Sequence, residues 1–129
     1  MGTLQCDPKA NVIVIEVKVW GSLVTTARMV LDTGASLVML PWKIATALEL
    51  EINPKNTIRT TTASTVESAP LVTIPKMSAL GEEVQGVEAL IKDLPPESGV
   101  DGLLGLSFLR HFKLTIDFKN GNLSLKKNL

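Results

Sequence analysis

Strict alternation of apolar and polar residues is the feature that most constrains this chain. In NVIVIEVKVW, Ile13, Ile15, Val17 and Val19 fall on one face, while Glu16 and Lys18 fall on the other. That two-residue period is the signature of a half-buried strand. Gly21 and Ser22 signal a turn, and LVTTARMVL follows as a second β-rich segment. LVML reads as a short buried strand, and EVQGVEALI as another, interrupted at Gly86. Near the end, Leu114, Ile116 and Phe118 alternate, Asn120-Gly121 suits a type I′ turn, and Leu123 and Leu125 alternate back. The terminal LKKN reads as a solvated edge. Between these segments, TIRTTTASTVESAPLVTIP is Thr-rich and β-prone, a long hairpin with its tip at Ala63, Ser64 and Thr65.

Helical signals are few. Pro41 can open a short helix through PWKIATALEL, since its missing N–H costs nothing there, and Ile44 and Leu48 share one face. VDGLLGLSFLRHF holds a short apolar strand and then a short helix, with Phe108 and Phe112 four residues apart. LPPESG is a Pro-rich loop, and residues 1–10 read as a loose N-terminus. The predicted architecture is all-β, a small closed barrel or folded sheet with one or two short helices. At 129 residues the chain fits a single domain, 1–129, that can enclose its own core.

Composition removes several function classes. Lys plus Arg equals Asp plus Glu, 13 each, so no basic field favours nucleic acid or anionic lipid. The predicted hairpins also lack the aromatic residues on which bases stack. The lone Cys6 can form no internal disulfide, and with only His111 distant in the chain no metal site or cofactor is expected. No signal-peptide pattern opens the chain, and no apolar run approaches the roughly 20 residues of a membrane span. The expectation is a cytoplasmic protein without nucleic-acid or membrane partners, although a piece of a longer protein would read the same way.

The stretch MVLDTGASLVML breaks the pattern, because it sets Asp32 in an apolar run. Removing a carboxylate from water is costly unless it is hydrogen-bonded. Gly34 lets the backbone turn and approach the carboxylate, so that N–H groups can bond it, and Thr33 adds a hydroxyl. That much describes a capped turn in a β-barrel. Peptide hydrolysis asks for more: one group to take a proton from water and another to give one. No second Asp-Thr/Ser-Gly is present, and Asp7, Asp93, Asp101 and Asp117 lack that context. The chain holds half a carboxylate pair, and a two-fold homodimer facing Asp32 with its copy is the simplest completion.

VLDTGAS followed about 70 residues later by VDGLLGLSFL resembles the retroviral-type, retropepsin-like single-domain aspartic proteases. Asp32, Thr33, Gly34 and Ala35 match their active-site loop; Leu103, Leu104 and Gly105 match their second motif; the hairpin at Ala63, Ser64 and Thr65 stands where their flap does. The resemblance spans the chain from Val12 onward. It implies an aspartic endopeptidase in which Asp32 of each subunit holds a shared water, one carboxylate as general base and the other as general acid. It further implies that Thr33 bonds across the two-fold axis, that the Gly34 N–H holds the carboxylate, and that flaps close over an extended polypeptide substrate.

Two positions depart from the retroviral pattern. Members of that group often carry an acidic residue after the Ala and an Arg after the second-motif Gly, a pair that can brace the dimer. Ser36 and Leu106 stand there instead, so polar and apolar contacts replace the ion pair. No Tyr occurs, which excludes a pepsin-type flap Tyr. The alternative is a catalytically inactive module of the same fold that binds peptides or dimerises. An intact Asp32-Thr33-Gly34 favours the enzyme, because a pure binder gains little from a costly carboxylate pair. Asp101 reads as a turn residue, and Trp20 and Trp42 as core or interface.

Overall fold

The structure, a computed structural model, describes residues 2–5, 12–61 and 66–128. Ten strands run in the order β1 (Gly2–Gln5), β2 (Val14–Trp20), β3 (Val24–Leu31), β4 (Val38–Leu40), β5 (Thr57–Thr61), β6 (Val66–Ala79), β7 (Glu82–Ile91), β8 (Gly102–Leu104), β9 (Phe112–Asp117) and β10 (Asn122–Lys127). Helix α1 (Trp42–Ala47) follows β4, and α2 (Leu106–Leu109) follows β8.

Alternation in the sequence becomes alternation in burial. Ile15, Val17 and Val19 of β2 are buried, while Glu16 and Lys18 face solvent. One sheet has the order β2-β3-β8-β4-β7-β6-β5, and β2 also pairs with β6, so six strands close into a barrel. Closure removes the open edges that would template aggregation. Met29, Leu40, Ile74, Met77, Leu104 and Phe108 fill the interior and are fully buried. Pro41 N-caps α1 as its fixed φ suits, and Ile44 and Leu48 turn inward together.

The topology that matters for the site is the insertion of β8 between β3 and β4. It runs parallel to β3, with Leu31 opposite Leu104, and antiparallel to β4, with Met39 opposite Leu103. The loop joining β3 to β4 therefore wraps the end of β8, and Asp32 lies on that loop.

Several local expectations are corrected. Gly86 interrupts the pairing but not the strand: β7 runs through it at φ 69°, and the β6–β7 ladder skips it and Pro75, which has no N–H to give. The last hairpin does not turn on a two-residue Asn120-Gly121 type I′ turn. Asp117 pairs with Asn122 across a four-residue loop, and of Asn120 and Gly121 only Gly121 has a positive φ, whereas type I′ needs two. The Asp117 carboxylate takes control there, accepting from the N–H groups of Lys119 and Asn120 and from Asn120 Nδ2. Phe118 consequently leaves the alternation and is exposed. Phe108 and Phe112 do touch, with ring centroids 5.2 Å apart, but Phe112 belongs to β9 and not to the helix. Gly2–Gln5, within the stretch read as loose, pairs as β1 with Asn122–Leu125 of β10, while Lys126, Lys127 and Asn128 lie beyond that pairing and are exposed.

Candidate active site

Three backbone–backbone hydrogen bonds and one from backbone to carboxylate build the Asp32 loop. The Asp32 N–H donates to the Leu104 carbonyl at 3.1 Å, extending the β3–β8 ladder by one step. The Ala35 N–H donates to the Asp32 carbonyl at 3.2 Å and closes the turn. The Leu106 N–H then donates to the Ala35 carbonyl at 2.8 Å, so that the first turn of α2 holds the far side of the loop. Within the loop, the Gly34 N–H donates to Asp32 Oδ1 at 2.9 Å.

The glycines act by permitting close approach. A Cβ on Gly34 would lie 3.2 Å from Asp32 Oδ1, so the residue is small because the carboxylate is near. At Gly105 the constraint is absolute: a Cβ would meet the Leu37 carbonyl oxygen at 2.4 Å and the Ala35 carbonyl oxygen at 2.8 Å. The second motif thus packs its backbone directly on the loop that carries Asp32.

Asp32, Gly34, Ala35, Leu104 and Gly105 are brought together as the motifs suggested, and Thr33 lies on the same loop. Asp32 is half-buried, whereas Thr33, Gly34 and Ser36 are exposed. Leu106 is 37% exposed beside them, an apolar side chain on the surface that carries the carboxylate. Ala63, Ser64 and Thr65 lie outside the described residues. The strands that lead to them, β5 and β6, pair in register from Thr57 opposite Pro70 to Thr61 opposite Val66.

Three residues gain roles that the sequence reading did not assign. Among the described residues, Ser107 is the buried polar side chain of the interior. Its hydroxyl donates to the Glu88 carbonyl at 2.7 Å and accepts from the Val38 N–H at 2.9 Å, joining α2, β7 and the start of β4. A hydroxyl inside the apolar run GLLGLSFL was the available signal. Asp101 is more than a turn residue. Its carboxylate accepts from the Arg28 N–H at 2.8 Å and pairs with Lys43 at 3.4 Å, while its own N–H donates to the Arg28 carbonyl. Asp93 accepts from the Trp42 N–H and caps α1. These carboxylates are therefore committed to structure. A cleft of about 690 Å³ adjoins them, lined by Arg28, Lys43, Asp93, Pro95 and Asp101, and Asp32 is not among its walls.

Among the described residues no group of His, Cys, Asp and Glu is arranged to hold a metal ion, and no helix is long and apolar enough to cross a membrane.

A barrel with a glycine-gated Asp-Thr-Gly loop locked onto a Leu-Leu-Gly strand end defines a class, the acid proteases of retropepsin-like fold. The family model for aspartyl proteases matches residues 15–108, most of the chain, and the protein belongs to that family. Among solved structures, a retropepsin-like aspartic protease from Rickettsia conorii is similar, with a TM-score of 0.68. The match covers 95% of this chain and 98% of that one at 23% identity, a likeness of fold. No curated protein matches the sequence.

Proposed function

We propose that this protein is an aspartic endopeptidase whose active site forms when two copies place their Asp32 carboxylates side by side around one water. The observation that carries this reading is the loop itself: a carboxylate bonded by its own Gly34 N–H, on a rigid platform, on a face left partly open. A second copy on that face would supply the missing partner and cover Leu106. Two carboxylates that close cannot both ionise, so the pair keeps one proton and titrates as a unit. The ionised member takes a proton from the water as it attacks the scissile carbonyl. The protonated member gives its proton to the carbonyl oxygen; as the tetrahedral intermediate collapses, the proton taken from the water passes to the departing nitrogen, the C–N bond breaks, and a hydroxyl proton of the intermediate returns to the other carboxylate. An extended polypeptide would lie between the Asp32 loops and the β5–β6 hairpins and pair with them through β-type hydrogen bonds. Thr33 would bond across the two-fold axis and keep the loops in register. The chemistry needs no metal or cofactor.

The test incubates wild type and Asp32→Asn with a denatured protein mixture at pH values from about 3 to 7, the span where a carboxylate pair titrates. New peptide termini, read by mass spectrometry, are expected from wild type alone. Absence of new termini from folded, dimeric wild type would favour the inactive peptide-binding module.

A further inference from the structure

The β5–β6 hairpin leaves the barrel at Leu71, where β6 exchanges β7 for β5 as its partner. Beyond that point it is a two-stranded ribbon, and such ribbons are marginally stable alone. One face turns toward the body. Ile58 and Ala69 are opposite each other on that face, half-buried and buried. One step outward on the same face, Thr60 is opposite Glu67. Apolar cover stops there and a polar contact takes over.

That contact is made by Lys92, the residue after β7. Its amine lies 3.4 Å from Glu67 Oε2 and donates to Thr60 Oγ1 at 3.3 Å. The Thr60 hydroxyl in turn donates to the Glu67 carbonyl at 3.3 Å. One ammonium therefore holds both strands of the hairpin, one pair inward from Thr61 and Val66. The Lys92 backbone is itself fixed, since its N–H donates to the Leu40 carbonyl at the end of β4 at 2.9 Å. The Lys92 side chain is only 26% exposed, so the amine is directed at the ribbon and not into solvent.

We infer that Lys92 is a positioning residue for substrate binding, latching the β5–β6 hairpin to the barrel rim through Glu67 and Thr60. The effect on substrate rests on the protease reading; the latch itself does not. Hydrogen exchange of the full-length protein measures the latch directly. In Lys92→Met the amides of residues 57–60 and 66–69 exchange roughly three- to tenfold faster, the range that loss of a partly exposed ion pair and one hydrogen bond supports. The β2 and β3 amides and the unfolding midpoint stay unchanged, and Lys92→Arg restores protection. On a cleavable peptide, Lys92→Met raises KM by a similar factor while kcat moves less than about twofold, the mark of lost binding without lost chemistry. Unchanged exchange in the hairpin would overturn the latch. Faster exchange with an unaltered KM would overturn the positioning role. If wild type cleaves nothing, the protease reading fails while the exchange data still decide the latch.

Discussion

At the scale of single residues, Gly105 and Ser107 show how little freedom the Asp32 platform has. Gly105→Ala forces a Cβ against two backbone carbonyls that cannot swing away as a side-chain tip would. The variant is expected to lose about 1–3 kcal/mol, the usual cost of overpacking, as a lower urea midpoint. Ser107→Ala leaves the Val38 N–H without its acceptor in a buried place. A loss of about 1–3 kcal/mol is expected, measured the same way. Asp32→Asn differs in kind: it keeps the volume and removes the charge, so on the proposed function cleavage is expected to be abolished while the urea midpoint barely moves. Asp32 was readable from the sequence because Asp-Thr-Gly is a contiguous signal. The Ser107 bridge was not, because its partners, Val38 and Glu88, are distant in the chain and meet only after folding.

At the scale of elements, the strands were legible and their junctions were less so. Alternation names a strand's inward face without any knowledge of its neighbour, as β2 shows. A turn depends on competition between backbone preference and nearby side chains. Asn120-Gly121 satisfies the local rule for a type I′ turn, yet Asp117 captures three donors and draws the chain into a longer loop. Those bonds hold the Asp117 carboxyl below its ordinary value of 3.8, the Asn120 side-chain bond contributing most. A depressed folded-state pKa means the contribution is complete above the unfolded value and disappears as pH falls through the lower, folded one. Asp117→Ala should therefore lower the thermal midpoint at neutral pH, and the gap from wild type should close under acid conditions. The insertion of β8 between β3 and β4 was likewise invisible to periodicity, since three apolar residues fit many partners.

At the scale of the whole molecule, the barrel is complete but the proposed active site is half of one. Activity that depends on two copies follows mass action. Specific activity should fall on dilution in step with the dimer fraction measured by sedimentation, and Asp32→Asn mixed with wild type should suppress it through dead heterodimers. With Ser36 and Leu106 in place of a bracing ion pair, association should respond weakly to salt, since apolar burial is not screened as exposed charges are. Leu106→Glu, which sets an anion on the proposed interface, is expected to weaken the dimer and reduce cleavage, with the monomer's urea midpoint unchanged. A tight, active Leu106→Glu dimer would exclude this face as the interface.

The placement of β8 also has a consequence in time. During synthesis Asp32 emerges before the second motif, but the carbonyl that receives its N–H belongs to Leu104, and the N–H that seals Ala35 belongs to Leu106. A growing chain that has not reached the second motif has an Asp-Thr-Gly loop without a floor. The nascent polypeptide therefore carries its own delay, in which the acid is present long before it can be aimed. On the proposed function, the order of the strands keeps the acid from acting until the second motif has been made.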